Sequence, residues 1–123
     1  MNEGATLDDV LSKVIPNKQL LERPYLRPIY DEPEFVVRNL WRLYGGWYDG
    51  NPAHLKPARE THLARAIVEL AGGVDKLVAK ANAAVDGAQW RVATELIEMA
   101  HRVAPNDAAV REARANIYEQ RGE

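Results

Sequence analysis

The stretch LYGGWYDGNPAHLKP, residues 43–57, lies between two segments that both have the apolar spacing of a helix. It holds three glycines and two prolines together with bulky aromatic side chains. Asp49-Gly50 is a typical turn pair, and Pro52 keeps Asn51 extended, so that the Asn51 side chain can cap a single helical turn. Two interpretations follow from these residues: a well-packed loop between two helices, or a buried contact between subunits or domains.

The segment before this loop predicts a helix with a wide apolar face. Asp31 and Glu34 have the spacing of a capping box, with Pro33 tolerated in the first turn, and Gly45 is expected to end the helix in the left-handed conformation. The apolar positions are Phe35, Val36, Val37, Leu40, Trp41, Leu43 and Tyr44. Because this band is wider than one core-facing stripe, we expect the helix to be covered on more than one side.

The chain before that helix predicts a short helix and then an extended arm. Thr6 and Asp9 resemble a capping box, and the helical spacing that follows them stops at Pro16. From Pro24 to Tyr30 two prolines push the preceding residues out of the helical region, which predicts an extended run.

Four helices are predicted after the loop. The first opens at Pro57 and turns Leu63, Ile67 and Leu70 to one face. The others cover 74–86, about 89–103, and a last segment that Asn106 caps. No alternating segment is long enough for a strand, so the predicted fold class is all-α, a helical domain of about five to six helices.

The last three helices have a spacing of small residues like that of a tetratricopeptide repeat. Ala93, Ile97, Ala100 and Pro105 fit its second helix, and Ala115 fits the helix that follows. We expect Ala93, Ala100 and Ala115 at the close contacts of a tetratricopeptide-like antiparallel C-terminal half. Two interpretations remain open: alanines that simply let helices pack closely, or an adaptor groove that binds a peptide of a partner protein.

Composition argues against several classes of protein. The 16 Lys and Arg residues and 18 Asp and Glu residues are interspersed, which is not typical of nucleic-acid binding. No cysteine is present for a disulfide or thiolate zinc site. We expect neither a signal peptide nor a membrane span, and we favour the cytoplasm. A length of 123 residues fits one domain, with an arm at 1–32, a signature helix and loop at 33–56 and a bundle at 57–123.

No catalytic constellation is visible in the sequence. The three histidines, His54, His62 and His101, do not have the spacing of a metal motif. No nucleophile elbow, phosphate-binding loop or dinucleotide fingerprint occurs either. The expectation is a chain with no catalytic, cofactor-binding or metal-binding residues.

Taken together, residues 30–57, YDEPEFVVRNLWRLYGGWYDGNPAHLKP, strongly resemble the helical dimerisation domain of alkyl sulfatases. These are enzymes of the metallo-β-lactamase superfamily that hydrolyse sodium dodecyl sulfate and related sulfate esters. The likeness covers nearly the whole chain and is most specific from Tyr44 to Pro52. Weaker matches are Leu70-Ala71-Gly72-Gly73-x-Asp75, Trp90-Arg91-x-Ala93 and Ala104-Pro105.

The resemblance implies a middle domain that joins two subunits, between a binuclear-zinc catalytic domain and a C-terminal sterol-carrier-like domain. This sequence has the motifs of neither, so zinc is expected only in the missing catalytic domain. The implied partner is a second copy, giving a homodimer, or the catalytic subunit of an alkyl sulfatase. Rigid aromatic anchors on a stiff loop suit such a contact. The expected interface residues are Phe35, Trp41, Tyr44, Trp47, Tyr48, Asp49, Asn51 and Pro52.

Overall fold

The computed structural model describes residues 4–27, 29 and 32–122. Over these residues the chain forms α-helices and one 3-10 turn but no strand, which confirms the all-α class. In chain order they are α1 (Leu7–Lys13), α2 (Lys18–Leu21), α3 (Pro33–Gly45), the 3-10 turn (Pro52–Leu55), α4 (Glu60–Ala71), α5 (Val74–Asp86), α6 (Trp90–Val103) and α7 (Ala108–Arg121).

The chain divides into two compact units, which we call the N-terminal unit (Met1–Pro57) and the C-terminal unit (Ala58–Glu123). The N-terminal unit contains α1 to α3 and the 3-10 turn, and the C-terminal unit contains α4 to α7. In the described part of the chain, no helix has both the length and the apolar character needed to cross a bilayer. The predicted division into one domain with three segments stays a prediction.

α1 begins with the predicted capping box. The Thr6 hydroxyl accepts a hydrogen bond from the Asp9 amide at 3.2 Å, and the Asp9 carboxylate accepts one from the Thr6 amide at 2.9 Å. The box satisfies two of the amides that a helix start leaves without partners. α2 was not predicted; its local signal is Asn17, whose side chain accepts a bond from the Gln19 amide at 3.0 Å.

The prediction of an extended arm is wrong over residues 24–27, which form a turn and a bend. The Leu26 amide donates to the Arg23 carbonyl at 2.9 Å, so Pro24 occupies the second position of a turn. The fixed φ of proline suits that position as well as it suits an extended run. Pro28, Tyr30 and Asp31 lie outside the described residues.

The ends of α3 differ from the prediction by one residue each. Glu32 is the N-cap and makes no side-chain cap hydrogen bond, and Pro33 does lie in the first turn. The predicted capping box needs Asp31, which lies outside the described residues. Gly45 is still helical, and Gly46 turns the chain with a φ of 76°. Of two adjacent glycines, either can take the left-handed position, because neither has a Cβ.

The C-terminal unit is built around α6, which packs against α4, α5 and α7. On α6, the residues that fit the second helix of the repeat, Ala93, Ile97 and Ala100, are completely buried, and Leu96, also predicted to face inward, is partly buried against the same core. Their neighbours in this core include Leu77, Ala81, Ala84, Val110, Ala113 and Ile117. Alanine at the crossings lets the helices approach closely, which favours tight packing. The tetratricopeptide-like arrangement itself stays a prediction.

α4 buries a different face from the one predicted. It begins at Glu60 rather than Pro57, and it buries Ala64 and Val68. Of the predicted face, Leu63 is half exposed and Leu70 is 84% exposed, and Ile67 alone is partly buried against the core. Ala64 and Val68 are one helical turn apart and form a stripe narrow enough to lie close to α6. The packing partner, rather than the size of the side chains, therefore selects the buried face.

Two positions around α7 also differ from the prediction. Asp107, not Asn106, is the N-cap, and its carboxylate accepts hydrogen bonds from the amides of Ala109 and Val110. Ala115 is exposed, whereas Ala113 is buried, so Ala115 does not lie at a close contact. Ala113 is separated by four residues from Ile117 and shares its buried stripe.

Candidate association surface

Two hydrogen bonds and one close backbone approach attach the loop after α3 to the rest of the N-terminal unit. The Leu7 amide donates to the Asp49 carbonyl at 2.8 Å, and the Trp41 indole Nε1–H donates to the Tyr48 carbonyl at 2.9 Å. Gly50 has a φ of 94°, and a Cβ there would lie 3.0 Å from Cγ2 of Thr6. Only glycine satisfies both the conformation and the close approach. The loop is consequently held in one position relative to α1 and α3.

Inside the loop, Asp49, Asn51 and His54 form a polar cluster. One Asp49 carboxylate oxygen accepts from the Asn51 amide at 2.9 Å, and the other bonds Nδ1 of His54. The Asn51 side chain accepts from the Ala53 amide at 3.0 Å, which caps the predicted turn at Pro52–Leu55. The hydrogen bond from the Asn51 amide, followed by that from His54, lowers the pKa of Asp49. The cluster gives the loop partners for polar groups that would otherwise depend on water.

Large apolar side chains are exposed along α3 and in the loop that this framework holds. On α3 the neighbouring members are one, three or four residues apart, so they extend over about half of the helix circumference. Tyr44 is 76% exposed and Trp47 is 73% exposed. The Trp47 and Tyr48 rings meet edge to face with centroids 6.0 Å apart. We call these exposed side chains the aromatic surface, and its members are Phe35, Val36, Leu40, Leu43, Tyr44 and Trp47.

The family whose model matches this chain is described as alkyl sulfatase dimerisation, and the match covers residues 6–123. The chain belongs to the alkyl sulfatase dimerisation family. It is 34% identical over 123 residues to a linear primary-alkylsulfatase of Pseudomonas sp. (strain ATCC 19151). It is 32% identical to an (R)-specific secondary-alkylsulfatase of Pseudomonas sp. and 29% identical to an alkyl/aryl-sulfatase of Saccharomyces cerevisiae.

A solved structure has the same fold. The chain superimposes on a stereoselective inverting sec-alkylsulfatase from Pseudomonas sp. with a TM-score of 0.85 and 31% identity, over 99% of this chain and 19% of that one. Among the relatives named above, 99% of this chain spans 19% to 23% of the relative's length. The similarity therefore concerns one segment of much longer enzymes.

The eight interface residues predicted from the sequence fall into three sets in this dimerisation-family fold. Phe35, Tyr44 and Trp47 are exposed on the aromatic surface. Trp41 is only 8% exposed, and its indole anchors the loop. The remaining predicted residues lie in the loop, which Asp49 and Asn51 brace, and they include half-buried Tyr48 and exposed Pro52. Whether any of the eight contacts a partner stays a prediction.

Two contributors to the loop were missed by the sequence reasoning. His54 was treated as one of three scattered histidines, although it bonds both Asp49 and, at 3.3 Å, the side-chain nitrogen of Asn51. Its spacing from Asp49 across a turn pair and a helical turn is the signal that could have indicated this. The backbone of Leu7 carries no signal in the sequence, because only the fold brings it to Asp49.

No group of three or more histidine, aspartate or glutamate side chains in the described part of the chain is placed to hold a metal ion. The expectation that this chain has no cofactor or metal of its own stays a prediction.

Proposed function

We propose that this chain is a non-catalytic association module in which the aromatic surface pairs two polypeptides. One observation carries the proposal. Of the sixteen large apolar side chains that are exposed among the described residues, thirteen belong to the N-terminal unit and three to the C-terminal unit. A concentration of exposed large apolar side chains in one unit is typical of a surface that a protein partner covers.

The anchors of the aromatic surface have the properties that association needs. Trp and Tyr each offer about 150 to 250 Å² of surface, and they lose little conformational freedom when they bind. The three attachments of the loop position Trp47 before a partner arrives, which reduces the entropy cost further. The three aromatic and three aliphatic side chains of the aromatic surface together supply a large part of the roughly 800 Å² that each partner buries in a stable interface.

The partner that we propose is a second copy of the chain. Two copies of an apolar surface can face each other across a two-fold axis without placing like charges together. The catalytic subunit of an alkyl sulfatase is the other partner of this proposal, because the named relatives are alkylsulfatases. In either case the module would hold polypeptides together, and we assign to it neither zinc nor sulfatase activity.

The test is the mass of the full chain by light scattering across a dilution series. We expect a dimer for the wild-type chain, and a dissociation constant raised at least a hundredfold in the double variant Tyr44→Ala, Trp47→Ala, because both anchors are lost. The matched control is Leu70→Ala with Val92→Ala, which removes exposed apolar side chains from the C-terminal unit. This control should dimerise like the wild type.

Two results would contradict the proposal in different ways. A wild-type chain that is monomeric at tens of micromolar would refute self-association and leave a different subunit as the partner. A dimer that the Tyr44 and Trp47 substitutions leave unchanged, and that the control variant weakens, would place the contact on the C-terminal unit instead.

A further inference from the structure

The C-terminal unit contains a recess whose residues are distant in the sequence from the aromatic surface. It is a groove of about 510 Å³ lined by His101 of α6 and by Arg111, Arg114, Ala115 and Tyr118 of α7. Cationic and aromatic side chains thus share one concave site. None of these residues belongs to the proposed interface of the N-terminal unit.

One arginine of the groove is held in a fixed position. Arg114 Nε donates to Oε1 of Glu98 at 2.6 Å, and the Tyr118 hydroxyl donates to the same oxygen at 3.1 Å. The Arg114 guanidinium carbon lies 5.4 Å from the centre of the Tyr118 ring. Burial opposes ionisation of Glu98, but the hydrogen bonds from Arg114 and Tyr118 outweigh it and lower the pKa of Glu98. Because the bond to Glu98 uses Nε, the two terminal amino groups of Arg114 are available to an acceptor in the groove.

The other polar groups of the groove are also donors. Arg111 lies one turn before Arg114, is exposed, and forms no ion pair within the described part of the chain. Nδ1 of His101 is buried and has no hydrogen-bond partner. The imidazole can donate a hydrogen bond from a protonated ring nitrogen, and none of the side chains that line the groove is a carboxylate. Glu98, the acidic side chain beside the groove, already accepts two bonds on one oxygen.

We propose that this groove binds the carboxylate of a glutamate side chain on a partner polypeptide. A set of donors with two arginines selects a ligand that only accepts hydrogen bonds, and a carboxylate matches the arginine fork. Ala115 and the Tyr118 ring give the groove an apolar wall against which the methylene groups of a glutamate can pack. Charge complementarity thus identifies the occupant as an acidic segment. The groove would thus bind a ligand in addition to the partner of the proposed function, and this binding does not depend on the pairing of the aromatic surface.

The test adds four ligands separately to the full chain labelled with ¹⁵N: one probe peptide, two comparison peptides and one inorganic anion. The probe is acetyl-Ala-Leu-Glu-Ala-Ala-amide, and the first comparison peptide replaces Glu with Gln. The second comparison peptide keeps Gln but ends in a free carboxylate, and sodium sulfate at equal ionic strength serves as an inorganic oxyanion. We expect the Glu peptide to shift the Arg114 Nε–H and Ala115 amide signals saturably and to bind at least tenfold tighter than each comparison ligand, because only it combines the carboxylate with an aliphatic stem.

Variants connect the binding to the groove. Arg111→Gln should weaken the Glu peptide about tenfold with an unchanged unfolding midpoint, and Arg111→Lys should restore part of the loss. The matched control is Arg65→Gln, an exposed arginine on α4 that should bind like the wild type. Equal binding of the Glu and Gln peptides, or wild-type binding by Arg111→Gln, would overturn the site. Equal or tighter binding of the free C-terminus or of sulfate would overturn the assignment to glutamate.

Discussion

The two units of this chain differ in how many of their large apolar side chains they bury. In the C-terminal unit, α6 is surrounded by three helices and its inward side chains are inaccessible to water. In the described part of the N-terminal unit, Trp41 is the buried apolar residue, and most large apolar side chains are exposed. One unit is stabilised by its own core, and the other is organised by hydrogen bonds around a single tryptophan.

This difference teaches what each unit requires. Apolar burial contributes about 25 cal/mol per Å², and it must offset roughly 1 to 2 kcal/mol of backbone entropy for every ordered residue. The C-terminal unit meets that requirement by packing its helices on each other. The N-terminal unit leaves its largest apolar area outside, so on the proposed function a partner supplies the missing burial.

The strongest test of the comparison is Ile97→Ala in the C-terminal core. Ile97 is completely buried in the middle of α6. Removing it should lower the free energy of unfolding by about 2 to 5 kcal/mol, because a cavity remains where the side chain was. Denaturant unfolding followed by circular dichroism measures the loss. Leu70→Ala is the exposed control, and a loss of the same size in both variants would mean that the core has been misassigned.

Substitutions of two glycines test whether the contact between the loop and α1 stabilises the N-terminal unit. Gly50→Ala should cost about 2 kcal/mol, since it combines a strained positive φ with a clash against Thr6. Gly46→Ala causes no clash, because a Cβ there would meet nothing within 4 Å, but its φ of 76° and ψ of −155° lie in a region that is essentially restricted to glycine, so it should cost about 1 to 3 kcal/mol. Thermal melts of both variants measure the two losses. A Gly50→Ala variant that melts like the wild type would show that the contact between the loop and α1 does not constrain the loop.

If the aromatic surface pairs two copies of the chain, dilution should change hydrogen exchange in the N-terminal unit and leave the C-terminal unit unaffected. Below the dissociation concentration, we expect amides of α3 to exchange with solvent at least tenfold faster, which corresponds to about 1.4 kcal/mol of lost protection. Amides near Ile97 should keep their exchange rates, because their burial lies within the C-terminal unit. Hydrogen exchange measured by mass spectrometry at several concentrations decides this. Uniform changes across both units would remove the distinction.

The smallest expected effect is a pH dependence of the loop. Because the pKa of Asp49 is lowered in the folded chain, its contribution to stability is fully present above about pH 4 and is lost as the pH falls further. Asp9 also has a lowered pKa, through its hydrogen bonds with Thr6, and it titrates in the same range. The difference between the wild type and Asp49→Asn in acid melts therefore isolates Asp49. If that difference is the same at pH 3 and pH 6, the polar cluster does not stabilise the loop.

Local signals predicted the parts of the fold that local interactions decide. The capping box at Thr6 and Asp9, the turn capped by Asn51 and the inward stripe of α6 depend on neighbours within a few residues, and all three are confirmed. The buried face of α4 was mispredicted, because the choice between Ala64 and Leu63 belongs to the helix packed against it.

The candidate surface could be predicted as a region but not residue by residue. Trp41 and Trp47 are residues of the same type close together in the sequence, yet Trp41 is buried and Trp47 is exposed. Their different roles depend on the bond from the Trp41 indole to the Tyr48 carbonyl, which exists only after the loop has closed. Spacing identified the aromatic residues, and tertiary structure divides them between support and exposure.

The contrast between these two tryptophans also gives the chain an optical reporter that needs no label. An indole in water emits at longer wavelength than one enclosed by protein, so Trp47 contributes the red edge of the fluorescence spectrum and Trp41 the blue side. The Tyr48 ring, 6.0 Å from Trp47, is close enough to pass its excitation to that indole. Acrylamide reaches Trp47 and is kept from Trp41, so once the half-buried third tryptophan is replaced in Trp90→Phe, quenching follows the surroundings of one side chain.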